Sequence, residues 1–337
     1  VIRVALDAMG GDNAPATEVD GAALALRELP PEFSLVLVGL PDHVEAELAR
    51  YPDLDRSRLT VVPATQVIGM GEKPLSAVRK KPDSSLVVGL GLHRDGQADA
   101  FVSAGNTGAL LAGGTILLGL HDGVDRATVA SSFPAPDGYV LVLDAGANVD
   151  CTAKELINFA YLGSIYARDV MGRPEPKIGL LNVGEEDEKG NAVVREAHAA
   201  LRQHPRLNYI GNIEGRDVVV GHPVHGRIDV VVCDGFVGNI LLKFYESMGK
   251  VLGRVLKAES PDLLRSPQMA PLMRFLDYSE VGGAPLLGVK GVQIVCHGSS
   301  TPVAIKNAIR YAVNSVRVGL SEHIASELSL RDTPANA

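Results

Sequence analysis

The chain has 337 residues, 46% of them hydrophobic and 21% charged, which places it among folded globular proteins and excludes a disordered chain. Its net charge of −8 argues against a nucleic-acid partner, because binding a phosphate backbone asks for a basic face. Tryptophan is absent and aromatics are 4%, which leaves little for stacking bases or sugars. The separated Cys151, Cys233 and Cys296 suggest neither a disulfide framework nor a zinc site.

Short β-branched runs alternate with helical patterns along the chain. Ile2–Leu6 reads as a strand, and its apolar run stops at Asp7, which does not suit a signal peptide. In the turn from Asp7 to Pro15, Gly10 and Gly11 allow either close backbone approach to a ligand or a plain tight turn. Asp12 or Asn13 is placed to cap a helix over Ala16–Leu29. Strands follow at Leu35–Val38 and Thr60–Val62, then a helix at Ser84–His93 and a strand at Ala100–Ser103.

The next turn, from Ser103 to Gly108, gathers small residues, hydroxyls and an amide before the helix Thr107–Leu118. First-turn N–H groups and the helix dipole favour an anion there, with Ser103, Gly105, Asn106 and Thr107 as candidate phosphate ligands. No Gly-Lys-Ser/Thr follows, so it is not a Walker A loop. The apolar run Ala109–Leu120 is broken by glycines and falls short of the roughly 20 residues a membrane span needs, so a cytosolic location is expected.

Strands are then predicted at Val140–Leu143, Ile178–Asn182, Val230–Cys233 and Val292–Cys296, and helices at Lys154–Met171, Val193–Gln203 and Asn239–Lys257. Most of these strands are continuous apolar runs, as expected when both faces are covered. Polar turns after them hold Asn148, Asp234 and Asn239, the acidic run Glu185–Glu188 beside Lys189 and Asn191, and finally His297, Ser299 and Ser300. Six such turns at strand ends point to one shared cleft. Pro302–Leu330 reads as one or two helices, followed by a frayed polar tail.

This rhythm predicts an α/β fold with a doubly wound, mostly parallel sheet, organised as a single catalytic unit over residues 1–337. One segment, at about 240–277, departs from it. Its apolar residues, prolines and Arg254, Lys257, Arg265 and Arg274 suit either a subunit interface or a surface touching anionic lipid, and the two are compatible. No dinucleotide fingerprint, GxSxG elbow or HExxH is present, and the nine histidines do not cluster, so neither a metal nor a cofactor is expected. Cys233 and Cys296 read as buried apolar residues.

The blocks Asp7–Pro15, Ser103–Leu110, Gly146–Cys151, Asn182–Asn191, Gly211–Asp217, Asp234–Asn239, Tyr278–Gly288 and His297–Ser300 resemble, in order, those of the phosphate acyltransferases of bacterial phospholipid synthesis, the PlsX family. A more distant similarity joins Val102–Thr107, Gly238–Ile240 and His297–Ser300 to phosphotransacetylase. The wider group has an isocitrate/isopropylmalate dehydrogenase-like fold.

The resemblance implies acyl transfer from acyl-[acyl carrier protein] to inorganic phosphate, giving acyl phosphate. It also implies partners: the carrier protein, a second copy in a homodimer, and a membrane surface or a membrane-bound glycerol-3-phosphate acyltransferase. The location implied is cytoplasmic and peripherally membrane-associated. On this reading His297, Ser299 and Ser300 serve the oxyanion or the departing thiolate, with Asn148 and Asp234 orienting them. Gly10, Gly11, Asp12, Asn13, Lys189, Asn191 and Asn239 are assigned to the acyl or carrier substrate. Arg79, Lys80 and Lys81, with Arg254, Lys257 and Arg265, are the candidates for a basic docking face for the acidic carrier, the first three fitting an ordinary solvated loop as well. The competing readings are an isopropylmalate-type dehydrogenase, which lacks its nicotinamide and metal signatures here, and a non-catalytic lipid-surface scaffold.

Overall fold

The computed structural model describes residues 1–264, 266–269, 273, 275 and 281–330. The predicted tail, together with Arg265, Pro271, Leu272, Arg274, Leu276 and residues 278–280 of the Tyr278–Gly288 block, lies outside the described residues. The chain divides into two compact units, where the sequence reads as one. The first holds Val1–Val129, Asp169–Gly172 and the described residues from Gly282 onward; the second holds Ala130–Arg168 and the described part of Arg173–Val281. The physical reason is that the strands form two sheets, each with its own core.

The first unit carries β1 (Ile2–Asp7), α1 (Ala16–Glu28), β2 (Phe33–Gly39), α2 (Pro41–Leu48), β3 (Leu59–Pro63), α3 (Pro74–Lys80), α4 (Ser85–Arg94), β4 (Ala100–Ser103), α5 (Thr107–Leu117) and β5 (Thr128–Val129). The second carries β6 (Ser131–Ala135), β7 (Gly138–Leu143), α6 (Ala153–Asp169, its last residue counted with the first unit), β8 (Ile178–Leu181), α7 (Ala192–Leu201), β9 (Tyr209–Ile213), α8 (Asp217–Val220), β10 (Val230–Val232), α9 (Gly235–Glu259) and α10 (Pro261–Leu264). The chain then returns to the first unit with β11 (Ala284–Leu287), β12 (Gln293–Val295), α11 (Pro302–Arg317) and α12 (Leu320–Leu330).

In the first sheet the order is β3-β2-β1-β4-β12-β11-β5, parallel from β3 through β12 and antiparallel at β11 and β5. Val4, Ala5 and Leu6 of β1 are wholly buried, as a strand covered on both faces requires. One face packs Val4, Leu6, Leu35, Val102 and Ile294 into the same core as Val19, Ala22 and Ala23 of α1 and Ile305, Ala308 and Ile309 of α11. From β1 the chain builds outward to β2 and β3, then returns to lay β4 on the other side of β1. That reversal makes the carboxyl ends of β1 and β4 a topological switch point, where open α/β sheets bind ligands.

The second sheet runs β6-β7-β10-β8-β9, parallel except for the β6–β7 hairpin. It has its own switch point between β8 and β10, because the chain goes from β8 out to β9 and comes back on the other side. Fold class therefore agrees with the sequence reading: α/β, with mostly parallel strands. Sequence reading misses the short or antiparallel strands β5, β6, β9 and β11, which lack a long β-branched run. It also begins α9 four residues late, because Gly235 and Gly238 read as turn residues; Asp234 caps the helix and both glycines lie inside it.

Candidate active site

In the first unit, three turns leave the carboxyl ends of the adjacent strands β1, β4 and β12, and they are tied to one another. The Asp7 carboxylate is buried and accepts hydrogen bonds from Ser103 Oγ at 2.7 Å and from the Met9 amide at 3.2 Å. Burial pushes its pKa up, against the hydrogen bonds of Ser85, Ser103 and Met9. Ser103 Oγ in turn accepts the Gly105 N–H at 3.0 Å. A Cβ on Gly10 would fall 2.7 Å from Gly105 N, so the β1 and β4 turns touch backbone to backbone. The Asp12 N–H donates to the Gly298 carbonyl at 2.8 Å, which joins the β12 turn to the same cluster.

Asn106 is the hub of this arrangement. Its Oδ1 accepts the Ala109 N–H at 3.0 Å and so caps α5. Its Nδ2 donates to the carbonyls of Gly69, Met70 and Glu72 at 3.0–3.2 Å, which pins a loop that sequence reasoning missed. Met70 Cε then lies 2.5 Å from where a Cβ on Gly298 would be, so that loop reaches the β12 turn.

Ser103 and Asn106, expected to hold phosphate, make their side-chain hydrogen bonds within the turn and to the loop that it pins. Ser103 is wholly buried and Asn106 nearly so, and both side chains are spent on shaping the turn. Thr107 stays exposed, and its N–H and that of Gly108 have no acceptor among the described residues. Helix capping is corrected. Pro15, with no side-chain hydrogen bond, occupies the capping position of α1, and Asp12 and Asn13 are exposed side chains of the turn before it.

At the β12 turn, His297 and Ser299 are exposed, and Ser299 Oγ lies 2.7 Å from His297 Nδ1. The Ser299 N–H also donates to that nitrogen at 3.2 Å, and the Ser300 N–H donates to the His297 carbonyl at 2.9 Å. Lys81, expected in a docking face, instead bonds the Val67 carbonyl and Glu72 Oε1, at 2.7 and 2.6 Å, and braces the 67–72 loop. Arg79 and Lys80 are exposed at the end of α3.

One buried acid beside this cluster was not singled out from sequence. Glu18, in the first turn of α1, is 1% exposed, and neither carboxylate oxygen has a hydrogen-bond partner of good geometry. A Cβ on Gly11 would sit 2.2 Å from its Oε1. Burial pushes its pKa up to about 7; Asp7 and Asp12 add to the rise, while the amides of Glu18 itself and Gly11 oppose it. An acid at this position looks in sequence like an ordinary partner for the helix dipole, so only its burial marks it out.

The second unit holds the other candidates. Asp144, at the end of β7, is fully buried and accepts from the amides of Gly146, Ala147 and Asn148 and from Asn148 Nδ2 at 2.6–3.2 Å. Asp234 accepts the Val237 N–H at 2.8 Å and caps α9, while Asn191 accepts the Val194 N–H at 2.9 Å and caps α7. Asn239 packs on Gly146, and Lys189 is exposed in the acidic loop. Burial raises the Cys151 and Cys296 thiols to about 12 and Cys233 well above its usual range, so none supplies a thiolate near neutral pH.

Glycine-lined, amide-rich turns thus stand at the switch points of mostly parallel sheets, where proteins of the α/β class bind their ligands. A phosphotransacetylase from Streptococcus pyogenes superposes with a TM-score of 0.65 at 16% identity, covering 94% of each chain. A 4-hydroxythreonine-4-phosphate dehydrogenase from Klebsiella pneumoniae superposes with a TM-score of 0.51, at 16% identity over 94% of this chain and 98% of the other. Residues 2–323 match the model of the family described as "Fatty acid synthesis protein", and the phosphate acyltransferase of Citrifermentans bemidjiense is 47% identical over 97% of this chain and 93% of its own. The chain belongs to this family, and it is an acyltransferase.

Proposed function

We propose that the chain transfers a fatty acyl group from the thioester of acyl carrier protein to inorganic phosphate, forming acyl phosphate for phospholipid synthesis. The observation that carries this reading is the turn at the start of α5. There a dipole-favoured pair of unmet N–H groups, at Thr107 and Gly108, adjoins the Thr107 hydroxyl. Phosphate is a competent nucleophile and a thioester an activated acyl donor, so the protein has mainly to position them and stabilise the oxyanion.

Phosphate held at Thr107 and Gly108 attacks the thioester carbonyl carbon directly. The tetrahedral oxyanion collapses with cleavage of the C–S bond, and the proton given up by hydrogen phosphate ends on the departing thiol. Asp7, Ser103, Gly105 and Asn106 keep the turn in shape. His297, Ser299 and Ser300, on the turn bonded to Asp12, serve the oxyanion and the leaving sulfur. No acyl-enzyme is required, and labelled acyl-protein trapped without phosphate would overturn the direct route.

The partners follow the same reading. Arg79 and Lys80, beside Lys73 and the exposed Met70 and Leu75, suit the acidic carrier protein. The exposed Phe236, Ile240, Phe244, Val251 and Val255 of α9 suit a second copy of the chain, a lipid surface or a membrane-bound glycerol-3-phosphate acyltransferase. No helix among the described residues is long and apolar enough to cross a membrane, so any such association is peripheral on this reading.

The deciding assay is phosphate-dependent thiol release from palmitoyl-carrier protein. Release only with phosphate, accompanied by acyl phosphate, is the expected result; no release would overturn the reading.

A further inference from the structure

Glu18, in the first turn of α1, is a buried acid set beneath the switch-point turns of the first unit. Neither of its carboxylate oxygens has a hydrogen-bond partner of good geometry. A carboxylate so placed is costly to keep ionised, and filling the space needs only an apolar side chain.

Its surroundings lead step by step to the phosphate turn. Oε1 lies against Gly11, where a Cβ would come within 2.2 Å of it, and that same Cβ would be 3.4 Å from the Gly298 carbonyl oxygen. The next residue, Asp12, donates its N–H to that carbonyl and so ties the β1 turn to the β12 turn. The preceding residue, Gly10, packs against the Gly105 amide, one residue before Asn106, which caps α5. Two backbone contacts thus connect the Glu18 carboxyl to the turn that presents the N–H groups of Thr107 and Gly108.

We propose that Glu18 is a positioning residue that sets phosphate affinity through its charge: the neutral acid leaves these turns open to an anion, and the carboxylate opposes one. The inference rests on the acyl-transfer reading above, with phosphate held at Thr107 and Gly108. The ionisable groups that act on Glu18 are Asp7 at the end of β1, Asp12 in the turn and the Cys296 thiol after β12, and none of them is a cation. The amides of Gly11 and of Glu18 itself favour the ionised form, but less than burial disfavours it. The pKa is accordingly pushed up to about 7, so both forms are populated near neutral pH. Ionisation adds a negative charge to those of Asp7 and Asp12, against a bound dianion. By reciprocity, phosphate binding draws a proton onto Glu18.

The test is the KM for phosphate in the wild type, Glu18→Gln and Glu18→Met at pH 6 and pH 8.5, with melting temperatures recorded to establish folding. Both variants are uncharged and close to glutamate in size. The wild-type KM is expected to rise between these pH values by about fivefold more than that of either variant, and to match that of Glu18→Gln at pH 6. The ionisation of phosphate itself, and any contribution from His297, is common to all three proteins and cancels in the comparison. A far smaller change is expected in kcat, because Glu18 does not touch the reacting atoms. Parallel pH profiles would overturn the proposal. So would a variant KM raised equally at both pH values, the mark of a purely structural role. Absence of phosphate-dependent thiol release in the wild type would instead overturn the acyl-transfer reading.

A second measurement uses the wild type alone and needs no turnover, so it survives variants that fail to fold. Sulfate stays dianionic across this range, and any change in its effect therefore comes from the protein. Relative to chloride at equal ionic strength, sulfate is expected to raise the Tm more at pH 6 than at pH 8.5. An equal rise at both pH values would overturn the proposal.

Discussion

Glu18 is ionised only at a cost, because its carboxylate lies under Gly11 with no donor of good geometry and with Asp7 and Asp12 nearby. Its pKa rises from 4.5 to about 7 on folding, so the folded chain holds this proton more tightly than the unfolded one. The contribution is therefore fully present below about pH 4.5 and is lost as pH rises through 7, up to about 3 kcal/mol. Urea unfolding of Glu18→Gln at pH 5 and pH 8 is expected to lack this component of the wild-type slope; identical slopes would contradict it. Asn106→Ala removes a helix cap worth about 1 kcal/mol and frees the 69–72 loop. A lower melting temperature and a raised KM for phosphate are expected, and an unchanged KM would separate Asn106 from the phosphate turn. At this scale the sequence shows where polar residues gather. It does not show that Ser103 and Asn106 face inward, because that depends on the partners Asp7 and Met70, far away in the chain.

Helices at this site begin where backbone must approach backbone. A Cβ on Gly238 would lie 1.9 Å from the Asp144 carbonyl oxygen, so the first turn of α9 rests directly on the loop after β7. Gly238→Ala is expected to destabilise the protein by about 1–3 kcal/mol in thermal or urea unfolding, through overpacking. Wild-type stability in this variant would mean that the helix start can shift freely. Buried residues of α9 are confined to Gly235 and Gly238 in this first turn, and beyond them runs an apolar strip that its helical spacing announces in sequence. Phe244→Glu is expected to reduce flotation with anionic vesicles or to shift the elution volume in size-exclusion chromatography. The first outcome assigns the strip to lipid and the second to a second copy. Neither change would leave it without either role.

The whole molecule shows that a fold does not choose a reaction. The architecture is shared with phosphotransacetylase and, more loosely, with a phosphate-bearing substrate's dehydrogenase. Incubation with isopropylmalate and NAD is expected to give no absorbance change at 340 nm, a wavelength at which reduced nicotinamide would report the rival activity. Alternation of apolar runs and amphipathic helices determined the α/β class and the parallel strands, because burial on both faces leaves a local pattern in the chain. The glycine and polar turns were visible for the same reason, as each is built from consecutive residues. Only the tertiary structure decided that the strands form two sheets, which side chains those turns spend on themselves, and that Glu18 is buried without a partner. All of these depend on residues distant in sequence meeting in space, and a local pattern carries no record of such meetings.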